Sequence, residues 1–181
     1  LYNIKMKSKL IFDPIHKFIE FEPILLRIID TPEFQRLKEI KQLGVCYHVF
    51  PGASHNRFEH SLGVSYLCGE MIKNLKNKQP ELKITNRQII LVKIAGLVHD
   101  LGHACFSHFF DNFLKSKLGN ENPFIHHEYR SGWLFSHIVK KYDIKISEIE
   151  IDFVKRLIDP KKEDIGFIFD IVANKKKWIR L

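Results

Sequence analysis

Ten consecutive residues, Ile89–Val98, are apolar apart from Lys93, and they run directly into His99-Asp100-Leu101-Gly102-His103. A segment apolar nearly all round has to be covered on every side, so the rest of the fold is whatever surrounds it. Thr85 and Gln88 stand where a capping box would close its N-terminal end, and the length then favours a buried central helix over a buried strand. Such a helix ends in a carboxylate and two imidazoles at the edge of a core. Burying those groups costs several kcal/mol unless they are partnered, and a divalent ion is one efficient partner. Adjacent helical residues point about 100° apart, so His99 and Asp100 converge only on something large and central. Gly102 would let the chain turn sharply and bring His103 back over the same pocket. The plainer alternative is a His-Asp pair satisfying itself at a helix end.

The other punctuation is helical as well. Thr31-Pro32 reads as an N-cap and first-turn proline, followed by Phe34, Leu37, Ile40 and Leu43 at spacing three and closed by Gly44. A second helix should start near Arg57 and carry Leu62, Tyr66 and Met71 toward the core. Further helices are expected at Ser107–Leu118, His127–Tyr142, Ser147–Ile158 and Glu163–Asn174. Leu10–Phe12, Phe18–Phe21 and Val45–Phe50 are candidates for a small hairpin or irregular β. The fold class is therefore mostly α, a multi-helix fold with at most a small β-hairpin. With 45% hydrophobic residues in 181, the chain can bury a real core and reads as one domain over 1–181. No apolar run approaches the ~18 residues of a membrane span. The first ten residues, which alternate apolar positions with Lys5, Lys7 and Lys9, do not look like a signal peptide.

Three scattered cysteines, Cys46, Cys68 and Cys105, give neither a disulfide framework nor a metal knuckle. An intracellular setting is expected, with nothing to separate nucleus from cytoplasm. The net charge of +8 is spread diffusely. Nucleic acid is thus possible as a partner but not indicated, a membrane is not expected, and a small polyanionic substrate stays open. Upstream, Arg57-Phe58-Glu59-His60 begins a helix. His60 could add a third ligand, a nitrogen, to His99 and Asp100. Arg57, one turn before it on the same face, carries the planar fork that suits phosphate oxygens.

His60 followed by His99-Asp100 resembles the HD-domain metal-dependent phosphohydrolase superfamily. The resemblance is closest to its eukaryotic members that combine a SAM and an HD domain and act as deoxynucleoside triphosphate triphosphohydrolases. It is carried by Asp13-Pro14-Ile15-His16, Ile28-Ile29-Asp30-Thr31-Pro32, Phe34-Gln35-Arg36-Leu37, the block from Phe50 to Gly63, and Ala95 through His108, in collinear order. It implies an HD fold and hydrolysis of a dNTP to deoxynucleoside and inorganic triphosphate, by attack of a metal-activated water at the α-phosphorus. His60, His99 and Asp100 would be metal ligands for Mn, Fe, Ni, Zn or Mg. Arg57 and His108 would contact the triphosphate, and Gln42 and Leu43 would lie under the deoxyribose and exclude a 2′-hydroxyl. Asp111 and His127, with His103 beside them, would be the catalytic acid-base group. A guanine-nucleotide activator would meet Lys9, Asp30, Gln35 and Lys38, the last standing where the family has an arginine. A homo-oligomer is also implied.

The sequence departs from the family in one important place. The family has a second aspartate ligand downstream, whereas here no acid follows Asp170 before Lys175-Lys176-Lys177-Trp178. The chain is therefore expected to be a fragment of a longer protein lacking the C-terminal lobe, slow or inactive alone, with Asp164 and Asp170 the nearest acids. Two alternatives remain beside dNTP hydrolysis. One is an HD phosphohydrolase acting on another phosphoester. The other is a non-catalytic HD domain serving regulation or nucleic-acid binding.

Overall fold

The computed structural model describes residues 7–174. A hairpin comes first: β1 (Lys9–Asp13) pairs antiparallel with β2 (Lys17–Phe21), Phe12 opposite Phe18 and Leu10 opposite Glu20. Asp13 makes the reversal, its Oδ1 accepting from the backbone amides of Ile15 at 2.9 Å and His16 at 2.7 Å, an Asx-type turn. Strand periodicity sends Ile19 and Phe21 into the core and leaves Leu10, Phe12 and Phe18 outside.

Two short helices follow, α1 (Pro23–Ile29) and α2 (Pro32–Gln35), the second capped by the Thr31 side chain. The helix expected to run on toward Leu43 stops early. Arg36–Glu39 winds as a 3₁₀ turn, in which residues three apart eclipse. That explains why the spacing-three set Phe34, Leu37 and Ile40 is buried while Leu43 stays exposed. Val45–Phe50 is not β either. Its amides bond locally, Val49 to Cys46 and His48 to Val45, around a 3₁₀ turn at Cys46–His48.

The long helix α3 (Arg57–Lys78) opens with a capping box of Asn56 and Glu59, and α4 (Asn86–Val98) opens with the expected box of Thr85 and Gln88. α4 is the centre of the molecule: Val92, Ile94, Ala95, Leu97 and Val98 are all fully buried. Each of these side chains except that of Ala95 contributes about 1.5–3 kcal/mol of burial. α3 packs on it so closely at Gly96 that an added Cβ would lie 3.2 Å from the Ser65 Cα and 3.0 Å from the Cys68 Sγ. α6 (His127–Lys141), α7 (Glu148–Ile158) and α8 (Phe167–Ala173) cover its other sides, while α5 (His108–Leu118) lies outside the core. α8 is shorter than the expected Glu163–Asn174 helix. Asp164 accepts from Arg156 and from the Lys161 amide, which ties that stretch into a turn, and Gly166 at φ 131° breaks the helical path. No helix among the described residues is long and apolar enough to cross a membrane. The segment from Lys175 to Leu181, with its departure from the family pattern, lies outside the described residues.

Candidate active site

His60 is the fourth residue of α3, and His99 and Asp100 follow the last turn of α4, so the packing of the two helices brings all three together. The His60 Nε2 lies 3.4 Å from Asp100 Oδ2 and the His99 Nε2 lies 3.4 Å from Asp100 Oδ1. One ligand atom from each residue falls within 4.8 Å of the other two. Those separations suit a shared ion about 2.0–2.2 Å from each nitrogen or oxygen. The electrostatics suit it too. His99 engages the Gly96 carbonyl through Nδ1 at 2.8 Å, which fixes a tautomer whose Nε2 carries the free lone pair. Burial, and then the neighbouring His99, hold His60 below the ordinary histidine value, which favours the form with a lone pair to offer a metal. Burial pushes the Asp100 carboxyl up, but His103, His99 and Arg57 together outweigh it and keep the group well below the usual carboxylate range. The donor set fits a divalent ion. Among the described residues neither Asp164 nor Asp170 belongs to this group; Asp164 is engaged by Arg156.

A second cluster adjoins the first through His103, which is 1% exposed and lies 3.4 Å from Asp100 Oδ1 through Nε2. Its ring stacks on that of His127 with centroids 3.9 Å apart and planes at 25°. His108 stands edge-on to both at 5.1 and 5.2 Å. These three imidazoles also come within metal-binding reach of one another. A ligating nitrogen directs its lone pair in the ring plane, however, and two nearly parallel rings cannot both aim that way at one ion between them. The trio is better suited to hold and move protons. Asp111 sits beside it, Oδ2 3.3 Å from His108 Nδ1 and 3.4 Å from His127 Nδ1. Its other oxygen forms an ion pair with Arg130 rather than with Lys115, the cation one turn along the same helix. Burial raises the Asp111 carboxyl, but Arg130 and the two histidines bring it below its ordinary value; burial and His103 lower His127.

Arg57 is 4% exposed, and its fork engages Asp100 through Nη1 and Ser107 Oγ through Nη2, the latter at 2.7 Å. Its buried Nε has no partner, and neither does the side-chain oxygen of Gln42. Gln42 and Leu43 line a cavity of about 540 Å³ with Val45, Phe106, Ser107 and His108. Ser107 connects the two, donating to the Gln42 carbonyl at 3.3 Å while accepting from Arg57. The four residues expected at an activator site lie on other elements. Lys9 is exposed at the start of β1, Asp30 is exposed at the end of α1, Gln35 donates to the Ile29 carbonyl at 2.7 Å, and Lys38 stands 4.7 Å over the Phe58 ring.

The loop after α4 is held by residues outside the expected site. Arg36 donates to the carbonyls of Leu101 and His103, and Arg130 to that of Gly102. Ser131 Oγ accepts from the Gly102 amide at 2.7 Å and donates to the His99 carbonyl at 2.6 Å. Gly102 is needed here for closeness, not for a left-handed turn: a Cβ would lie 2.3 Å from the His127 carbonyl oxygen and 2.5 Å from the Ser131 amide. These hydrogen bonds span 28 or more residues of sequence, and no local pattern announces them. Asn56-x-x-Glu59 is a capping-box spacing absent from the expectations above, and the box it forms opens the turn that carries His60.

Two histidines and an aspartate at the junction of two helices, one of them buried from Leu91 to Val98, define the class. Residues 57–165 match the HD domain, and the chain belongs to that family. It is 48% identical to Deoxynucleoside triphosphate triphosphohydrolase SAMHD1 of Bos taurus over 97% of its length and 34% of that protein. With the Homo sapiens protein of the same name it shares 46% identity over 94% of its length and 31% of the relative. A SAMHD1 homolog of Dictyostelium discoideum is 43% identical over 98% of the chain and 35% of the relative. The chain thus spans about a third of the length of these curated relatives.

Proposed function

We propose that this chain is the catalytic core of a metal-dependent dNTP triphosphohydrolase, releasing deoxynucleoside and inorganic triphosphate. One observation carries the reading: the His60–His99–Asp100 group and the His103–His127–Asp111 cluster share Asp100 as a neighbour, and His108 links that cluster to the cavity lined by Gln42 and Leu43. The names of the relatives support the substrate class.

His60, His99 and Asp100 would hold the ion, and mixed imidazole and carboxylate donors suit Mn, Fe, Ni or Zn, with Mg less favoured. The chemistry supplied there is polarisation of a phosphoryl oxygen and acidification of water from 15.7 toward ~7. Water attacks the α-phosphorus, the bond from phosphorus to the 5′-oxygen breaks, and that oxygen leaves as an alcohol once an imidazole gives it a proton. His127 and His103 would hold that proton, and Asp111 would keep the His127 ring oriented. Arg57 and His108 would bind the triphosphate. Gln42 and Leu43 would crowd the 2′ position and reject a ribose by steric contact. A guanine nucleotide at Lys9, Asp30, Gln35 and Lys38, acting across a homo-oligomer, would be the regulatory partner.

Product analysis tests the reading. A version of this chain that carries the family's second aspartate, loaded with Mn and given dGTP or GTP, should form inorganic triphosphate from dGTP alone, measured by phosphorus NMR, whereas these 181 residues by themselves should be slow or inactive. Monophosphate with pyrophosphate, or equal turnover of GTP, would overturn it.

A further inference from the structure

Asp111 has two oxygens and three partners. Oδ2 faces His108 and His127, and Oδ1 accepts from Arg130 Nη2. The remaining nitrogens of that guanidinium are engaged as well: Nε donates to the Gly102 carbonyl at 2.9 Å and Nη1 to the Phe124 carbonyl at 2.6 Å. Its centre lies 5.7 Å from the centroid of the Phe110 ring, and the side chain is only 11% exposed. A planar fork with every nitrogen engaged, and little water to replace any partner, has one orientation.

We infer that Arg130 is a positioning residue of the active site, fixing Asp111 by one oxygen so that the other meets His108 and His127 together. The same side chain ties that carboxylate to the Gly102 loop, which follows Asp100 and precedes His103. This inference rests on the proposed roles of Asp111 and His127. With Oδ1 occupied, Oδ2 stands 3.4 Å from His127 Nδ1, as does Glu128 Oε2; held there, Oδ2 would accept the Nδ1 proton and leave the Nε2 of that ring to take or give the proton of the reaction. Without Arg130, the carboxylate is free to rotate about its own axis and the tautomer of His127 loses its anchor. Lysine is no substitute, because one ammonium cannot reach Asp111 and both carbonyls in that planar arrangement.

A purely structural Arg130, stapling the turn before α6 to the Gly102 loop, would lower stability without acting through Asp111. A double-substitution cycle separates the two roles, using as parent the version that carries the family's second aspartate, with Arg130→Ala, Asp111→Asn and the double variant, all loaded with Mn. Arg130→Ala should lower kcat for dGTP about tenfold or more with KM within about threefold, and should add nothing in the Asp111→Asn background. Histidine nitrogen NMR should show His127 protonated at Nδ1 in the parent and a mixture of tautomers in Arg130→Ala. Arg130→Lys serves both measurements if the alanine variant fails to fold, and should behave like it rather than like the parent. Multiplying effects in the double variant, or an unchanged His127 tautomer in a folded Arg130 variant, would overturn the inference. Should the parent release no triphosphate, the proposed activity fails, while the tautomer measurement still decides the role of Arg130.

Discussion

The ring of His103 lies almost flat on that of His127, 3.9 Å between centroids, and the same His103 reaches Asp100 through its Nε2 at 3.4 Å. His103 is thereby the joint between the group that would hold an ion and the group that would move a proton. Its buried Nδ1 has no partner of its own.

Separate roles for the two groups can be tested by substituting one member of each. His127→Ala should lower kcat by ~10²–10⁴, the usual contribution of a positioned acid, while leaving metal content as in the parent. A parallel fall in bound metal would place His127 among the ligands instead.

His99→Ala should do the reverse and empty the metal site. Nε2 of His99 is the nitrogen whose lone pair the Gly96 carbonyl bond leaves free. Elemental analysis after chelation and reloading is the measurement, and metal content equal to that of the parent would remove His99, and with it the three-residue site.

Arg57 touches Asp100 and Ser107 at once, so its removal should be felt beyond triphosphate binding. Arg57→Ala is expected to weaken dGTP binding by about 1.5–3 kcal/mol in calorimetry, the scale of a charge-assisted fork, with metal still bound. Arg57→Lys should recover little of it, since an ammonium cannot span both partners. Parent-like affinity in either variant would make Arg57 structural only.

Gly102→Ala sets a Cβ against backbone on α6, 2.3 Å from one atom and 2.5 Å from another, so neither neighbour can step aside as a flexible side chain would. The expected cost is ~3 kcal/mol or more, the upper end of overpacking, read as a lowered urea midpoint. A midpoint like that of the parent would mean that α6 is not seated on the loop as described.

Glu150 gives the chain a stability that depends on pH. The Arg87 fork, joined by the Ser147 amide and working against a smaller burial effect, lowers its carboxyl to about 2 from an ordinary 4.5. A carboxyl depressed by folding adds stability above its unfolded value and loses that contribution as pH falls toward the folded one. Glu150→Gln keeps the reach back to the Ser147 amide but not the charge. It should therefore be less stable than the parent by about 0.2–1 kcal/mol near neutrality. The difference should close between pH 4.5 and pH 2. A gap independent of pH would show that the charge contributes nothing.

The sequence by itself determined α4 and the residues at its end. An apolar run with Thr85 and Gln88 at its head and His99-Asp100 at its foot has little choice but to be a buried helix delivering polar groups to one edge, because burial and capping are local consequences of residue order. His60, Asp111 and His127 were legible from the resemblance, and the structure brings them beside those groups. Local order also misled where two windings share a spacing: Phe34, Leu37 and Ile40 fit a 3₁₀ turn as well as a helix, and Val45–Phe50 had strand-like residues but no strand to pair with. Only the tertiary structure decided what Arg36, Arg130, Ser131 and Gly102 do, since each acts on a partner 28 or more residues away. It also gave Asp111 its partner. Spacing along α5 offered Lys115, yet the charge that meets the carboxylate comes from α6, because a guanidinium already fixed to two backbone carbonyls reaches it with less entropy to lose than a lysine on the surface.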